Sequence, residues 1–242
     1  MKDLLLYVTE VAPYAESERR PDAQRRLAGA HHVLPQSIAC MRQFARLAGL
    51  RFAHFDSVSL ITVEQLEETQ VLALFTIGET PWSDVQKQII PDRIRSGEIG
   101  FLPMHAASDA CYTWPEYGRL VGARFAGHPW TQEFTVEVID GTHPATRHLG
   151  ARWRLTDEVY LFRELRADCR VLLRALASDL DMNAKGARVP ETGIPLAWCF
   201  REGRGRVFYT ALGHFSALYE NPTFLGHVFG GLQWILSEEA DQ

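Results

Sequence analysis

Strand-length apolar runs alternating with helix-patterned stretches constrain this chain more than any other feature. A run from Asp3 to Val8 opens the sequence, and others follow at Arg51–Phe55, Val71–Ile77 and Ile99–Met104. Each is short and close to continuously apolar, the pattern of a strand covered on both faces. Helix signals lie between them. Pro35 opens a stretch with Ile38, Met41, Phe44, Ala45 and Ala48 on one face, and Gly49 stops it. Thr62 caps a turn reaching Leu66, and Ser83 starts a helix that turns Val85, Ile89 and Ile90 inward before Gly97. Four such alternations predict an α/β fold, a doubly wound and mostly parallel sheet with helices on both faces.

The second half offers strands at Phe134–Ile139, Glu158–Phe162, Val171–Ala177, Leu196–Phe200 and Val207–Ala211, then a helix over Pro222–Leu236. No change of composition marks a linker, so residues 1–242 are read as one domain. From Thr9 to Val33 the sequence is polar and broken by Pro13, Pro21 and Gly29, a long loop of the kind that usually carries function or stays unstructured.

Charge narrows the classes of partner. Lys and Arg total 25 against 30 acidic residues, a net charge of −5, which argues against a nucleic-acid partner. Arg19, Arg20, Arg25 and Arg26 cluster near the N-terminus and read as a solvated loop face. The opening apolar run is too short for a secretory signal. No stretch approaches the ~20 apolar residues of a membrane helix. The expectation is a cytoplasmic protein with no membrane partner. Cys40, Cys111, Cys169 and Cys199 form no C-x-x-C pair and read as reduced thiols, mostly core fillers.

In open α/β sheets, ligands bind beyond the carboxyl ends of the strands. Polar residues just after the apolar runs therefore matter most: Thr9-Glu10, Gly78-Glu79-Thr80 and His105 to Asp109. The densest constellation follows the fourth run, with His105-Ala106-Ala107-Ser108-Asp109 and then Trp114-Pro115-Glu116-Tyr117. Gly127-His128-Pro129-Trp130, Thr156-Asp157-Glu158 and Thr210-Ala211-Leu212-Gly213-His214 come later. Imidazole and carboxylate together suit acid–base work, since one titrates near neutrality and the other orients it. His105 and His214 stand at strand ends, and an inward carboxylate at Glu158 is costly unless paired. His128 reads equally as part of a rigid turn, and Asp109 as a cap on the turn toward Trp114. Trp153, Trp198 and Trp234 read as core.

Several of these segments resemble the ThuA (trehalose utilisation) family, in the family's order. They are His105 to Asp109, Trp114 to Gly118, Gly127 to Trp130, His143-Pro144-Ala145-Thr146, Thr156 to Tyr160, and Arg206 to His214. The similarity runs from about Val71 to Leu236, and His31-His32 with Ser37-Ile38 resembles the family's N-terminal histidine loop. The resemblance implies a flavodoxin-like sheet of the class I glutamine amidotransferase type. That superfamily places a nucleophilic cysteine at a tight turn after a central strand, and the equivalent Pro103-Met104-His105-Ala106-Ala107 has none. Pro103-Met104 also stands where the family usually has a glycine and a small aliphatic residue. Glutamine hydrolysis by a thiolate is not expected, with Cys111 the weak remaining candidate.

The resemblance implies a carbohydrate substrate, a keto-glycoside among the options, acted on by a lyase, isomerase or hydrolase. His105, Glu158 and His214 are the expected acid–base or metal-ligand groups, with Asp109 and His128 orienting them. Glu79, Trp114, Trp130 and His32 are expected to shape the sugar pocket. A divalent ion (zinc, manganese or iron) would draw on His31, His32, His105, His128 and His214, although no local H-x-x-x-H spacing marks a site. The rival expectation is a non-catalytic sugar-binding or interaction protein on the same scaffold. A homodimer through the apolar C-terminal helix is a further expectation.

Overall fold

The computed structural model describes residues 2–15 and 33–237. The four apolar runs are strands β1 (Leu4–Val11), β2 (Arg51–Phe55), β3 (Thr69–Ile77) and β4 (Gly100–Pro103). They pair in parallel, β1 with both β2 and β3, and β3 with β4. Thr9 and Glu10, expected just past the first strand, lie within it. Helices α1 (Leu34–Leu47), α2 (Val63–Glu68) and α3 (Asp84–Arg95) start at the anticipated signals. Pro35 sits in the first turn of α1. Thr62 and Ser83 each build a capping box. Each hydroxyl accepts from the N–H of Gln65 or Gln86, whose amide oxygen accepts in return from the cap's own N–H.

The near-continuous apolar character of the first strands follows from two cores. Along β1, Leu5 and Tyr7 join one buried cluster while Leu4, Leu6 and Val8 join another. β3 repeats the pattern, with Val71, Ala73 and Phe75 on one side and Leu72 and Leu74 on the other. Successive strand residues point to opposite faces, so a strand buried on both sides must be apolar throughout. Helix α1 and the last helix, α5 (Pro222–Leu236), cover one face through Met41, Phe44, Phe224 and Leu232. Helices α2, α3 and α4 (Pro115–Val121) cover the other through Leu66, Ile90, Ile94 and Leu120. The apolar side of α5, on which a dimer was expected, is thus packed against the chain's own sheet.

The second half contributes β5 (Arg124–Val138), β6 (Arg152–Arg163), β7 (Arg170–Ala175), β8 (Ile194–Glu202) and β9 (Gly205–Thr210). All nine strands form one sheet in the order β2-β1-β3-β4-β9-β8-β7-β5-β6. β9 returns parallel to β4, and every neighbour beyond it is antiparallel. The sheet is therefore parallel on one side of β9 and antiparallel on the other. β5 and β6 are much longer than the runs at Phe134–Ile139 and Glu158–Phe162 suggested. Gly127-His128-Pro129 lies inside β5, where register shifts fall between Phe125 and Gly127 and between Gly127 and Trp130. Gly-His-Pro-Trp is accordingly an irregular strand segment, not a turn; bulges of this kind bend a strand and re-aim a side chain.

Candidate active site

The site begins where two parallel strands end. Beyond β4, Met104 bridges to Thr210 at the end of β9, and the chain then turns sharply at His105. His105 has φ = 47°, the left-handed region that costs a non-glycine residue about 1–2 kcal/mol. Hydrogen bonds hold it there. The Tyr209 hydroxyl donates to the His105 carbonyl at 2.8 Å, and the Ser108 hydroxyl lies 2.9 Å from the Tyr209 oxygen. A sharp turn after a strand throws its side chain out at the strand's end, as in nucleophile elbows. Here that position carries an imidazole.

The surroundings fix the state of that imidazole. Its Nδ1 lies 2.7 Å from the Ala211 carbonyl oxygen, which can only accept, so Nδ1 bears the proton. Nε2 then presents a lone pair, toward which the Tyr160 hydroxyl donates at 2.9 Å. Burial first, then the neighbouring His214 and His128, lower the His105 pKa to about 3, so the ring is neutral at physiological pH.

Glu158 comes from β6, two residues before Tyr160 and hence on the same face of the strand. Its Oε2 lies 3.6 Å from His105 Nε2 and 3.3 Å from His214 Nδ1, while Oε1 lies 3.4 Å from His128 Nδ1. One mostly buried carboxylate thus faces three imidazoles. The ligand atoms of His105, Glu158 and His214 all fall within 4.8 Å of one another. His128 reaches the group from the irregular segment of β5, and His214 from the loop after β9.

That loop is pinned by Asp157. Its Oδ2 accepts from the Gly213 N–H at 2.8 Å, and its Oδ1 accepts from the N–H groups of His214 at 3.1 Å and Glu158 at 2.9 Å. Burial pushes the Asp157 pKa up to about 7, against the pull of these same bonds. Gly213 has φ = 133°, and a Cβ there would lie 3.1 Å from the Tyr219 hydroxyl oxygen, so glycine is needed on both counts. Neither Asp157 nor Tyr160 was picked out as a site residue from sequence. The available signal was an acidic pair opening an otherwise apolar run, Asp157-Glu158-Val159-Tyr160-Leu161.

Other expected residues are placed differently. Asp109 accepts from the hydroxyls of Tyr14 at 2.6 Å and Tyr112 at 2.5 Å, so it knits the loops beyond β1 and β4. Glu79 accepts from the hydroxyl and N–H of Thr113, a loop-to-loop tie. Trp114 and Trp130, expected to shape a sugar pocket, are both buried. Trp114 is buried against Trp82 and Tyr117. Trp130 is buried in the core, with its indole N–H donating to the Asp181 carbonyl. Neither offers an open face to a sugar. Cys111 is buried beside the Thr80 hydroxyl, and burial raises its thiol pKa to about 12, the opposite of an activated nucleophile. His31 and His32 lie outside the described residues.

Comparison with known proteins bears on the fold and the family. The chain is similar to the crystal structures of ThuA-like proteins from Parabacteroides merdae and Bacteroides uniformis. The first is 18% identical with a TM-score of 0.73, covering 100% of this chain and 92% of that one. The second is 18% identical with a TM-score of 0.74, covering 97% and 92%. A glutamine amidotransferase from Thermotoga maritima shares the fold at 11% identity and a TM-score of 0.53, over 97% of this chain and 99% of that one. Among curated proteins, none matches the sequence. The family model for trehalose utilisation matches residues 24–235, a span that takes in the turn at His105, the acidic pair on β6 and the His214 loop. That match over most of the chain makes it a member of the ThuA family.

Proposed function

We propose that this protein is a carbohydrate-modifying enzyme that removes a proton from a keto-glycoside, with Glu158 as the base. The supporting observation is the Glu158 carboxylate facing His105, His128 and His214 at 3.3 to 3.6 Å, beyond the carboxyl ends of β4 and β9. The family's description, trehalose utilisation, supplies the substrate class.

A carbonyl acidifies the neighbouring C–H, which brings that proton within reach of a carboxylate base. Oε1 of Glu158 takes the proton, and the bond's electron pair forms a carbon–carbon double bond. The glycosidic C–O bond, β to the carbonyl, breaks, and its oxygen takes a proton from His214 Nε2. His214 suits that exchange because its side chain is 23% exposed, against 3% for His105. His105 stays neutral, its Nδ1–H donating to the Ala211 carbonyl.

The test is proton NMR of keto-trehalose incubated in heavy water with the wild type and with Glu158→Gln. The wild type should exchange the hydrogen beside the carbonyl and release free sugar. Glu158→Gln should lose about 10²–10⁴-fold of that rate, the usual share of a general base. Sugar binding by the wild type without exchange or cleavage would make the protein a non-catalytic binder and overturn the proposal.

A further inference from the structure

The spacing around Glu158 carries a second conclusion, independent of the substrate. Its Oε2 lies 3.6 Å from His105 Nε2 and 3.3 Å from His214 Nδ1. Both separations exceed the usual N–H···O range of about 2.7–3.2 Å. They fit a different geometry, because a tetrahedral ion with bonds of about 2.1 Å sets its ligand atoms about 3.4 Å apart. We propose that His105 Nε2, Glu158 Oε2 and His214 Nδ1 form a binding site for one divalent transition-metal ion, zinc by preference.

Features of the surroundings agree with this assignment. The Ala211 carbonyl accepts a hydrogen bond from His105 Nδ1–H and leaves Nε2 as the ligand atom, the arrangement that orients metal-bound histidines generally. The other oxygen of Glu158 faces His128 Nδ1, which steadies the carboxylate while Oε2 points at the other two rings. Asp157 fixes the backbone of both neighbouring donors, accepting from the N–H of Glu158 and of His214. The donor set is two imidazole nitrogens and one carboxylate oxygen, mixed ligands that suit zinc and are also accepted by manganese and iron. Three protein ligands leave a position for water or a sugar oxygen, as in catalytic rather than structural sites. On Nε2 the ion would displace the Tyr160 hydroxyl, a neutral hydrogen bond far weaker than coordination.

Tag-free protein would be stripped with chelator, dialysed against zinc sulfate and its metal measured by elemental analysis, without any sugar present. The wild type should hold about one equivalent, and Glu158→Gln and His214→Asn should each weaken zinc at least ~100-fold in a competition titration, beyond what loss of an outer partner costs. His148→Asn, at an exposed histidine, should bind like the wild type. Absence of zinc from the wild type, or unchanged affinity in both variants, overturns the site. Should either variant fail to fold, cobalt substitution of the wild type decides. Visible bands of a tetrahedral nitrogen–oxygen site are expected, and a thiolate charge-transfer band or octahedral spectrum overturns the proposal. Metal content is read without turnover, so failure of the keto-glycoside reaction leaves this result standing, and the reverse also holds.

Discussion

Asp157 and Gly213 are 56 residues apart in sequence and joined by a 2.8 Å hydrogen bond from the Gly213 N–H to the Asp157 carboxylate. β6 is the last strand in the sheet order and β9 the fifth, so this bond crosses the molecule instead of following the ladder. It ties the strand that supplies Glu158 to the loop that supplies His214. Asp157→Asn keeps the size of the side chain but turns one acceptor into a donor aimed at backbone N–H groups. The variant should lose about 1–3 kcal/mol in urea unfolding, the usual cost of unpairing buried polar groups. If Asp157 positions the site, turnover should fall more than substrate affinity; unchanged turnover in a folded variant would remove it from the site's construction.

Gly213→Ala tests the same loop from its backbone. The new methyl would combine an unfavourable φ with a 3.1 Å approach to the Tyr219 hydroxyl. Strain of this type costs on the order of 1–3 kcal/mol. Thermal unfolding should show a clear drop in midpoint, and a wild-type midpoint would mean the loop relaxes freely.

A pH effect is expected at His227 on α5. Burial chiefly lowers its pKa to about 4, with His148 and His143 adding repulsion and the hydrogen bond to the Ala145 carbonyl opposing them. Its Nε2 faces the Thr210 hydroxyl. The folded pKa lies below the ordinary 6.5. As pH falls, the unfolded chain therefore takes up the proton first, and stability is lost between about pH 6.5 and 4. The slope is about 1.4 kcal/mol per pH unit from this one group. Urea unfolding across that window should show His227→Gln with a slope shallower by one proton. An identical slope in the variant would mean His227 does not titrate this way.

Cys111→Ala should leave sugar chemistry at the wild-type rate. The thiol is buried, and its raised pKa keeps it protonated at neutral pH. Loss of activity in a stably folded Cys111→Ala protein would restore thiol chemistry as an option.

Much of the scaffold was legible because its physics is local. Continuous apolar runs such as Val71 to Ile77 mark strands buried on two sides, and Thr62, Ser83 and Pro35 mark helix starts within a turn. β5 was read too short because Gly127, Pro129 and the polar Thr131-Gln132-Glu133 interrupt its pattern, and only pairing with β6 holds them extended. His105 and His214 were readable as strand-end residues, and Glu158 as an expensive carboxylate. Asp157 was not, because its partners are backbone N–H groups that any residue could supply. The burial of Trp114 and Trp130 was not legible, because an indole serves as well inside a core as beneath a sugar and sequence does not report which side of it is covered.

The sheet's change of direction at β9 bears on when the protein becomes competent. His105 follows the parallel strands, Glu158 belongs to the antiparallel ribbon, and His214 comes after the strand where the two meet. A nascent chain that has completed β1 to β4 holds one imidazole and nothing to work with. The finished ribbon adds the Glu158 carboxylate and the His128 imidazole, and His214 arrives only with the loop beyond β9. The constellation is therefore complete only once the loop beyond β9 is in place, and a chain that stops short of it cannot bring the three side chains together.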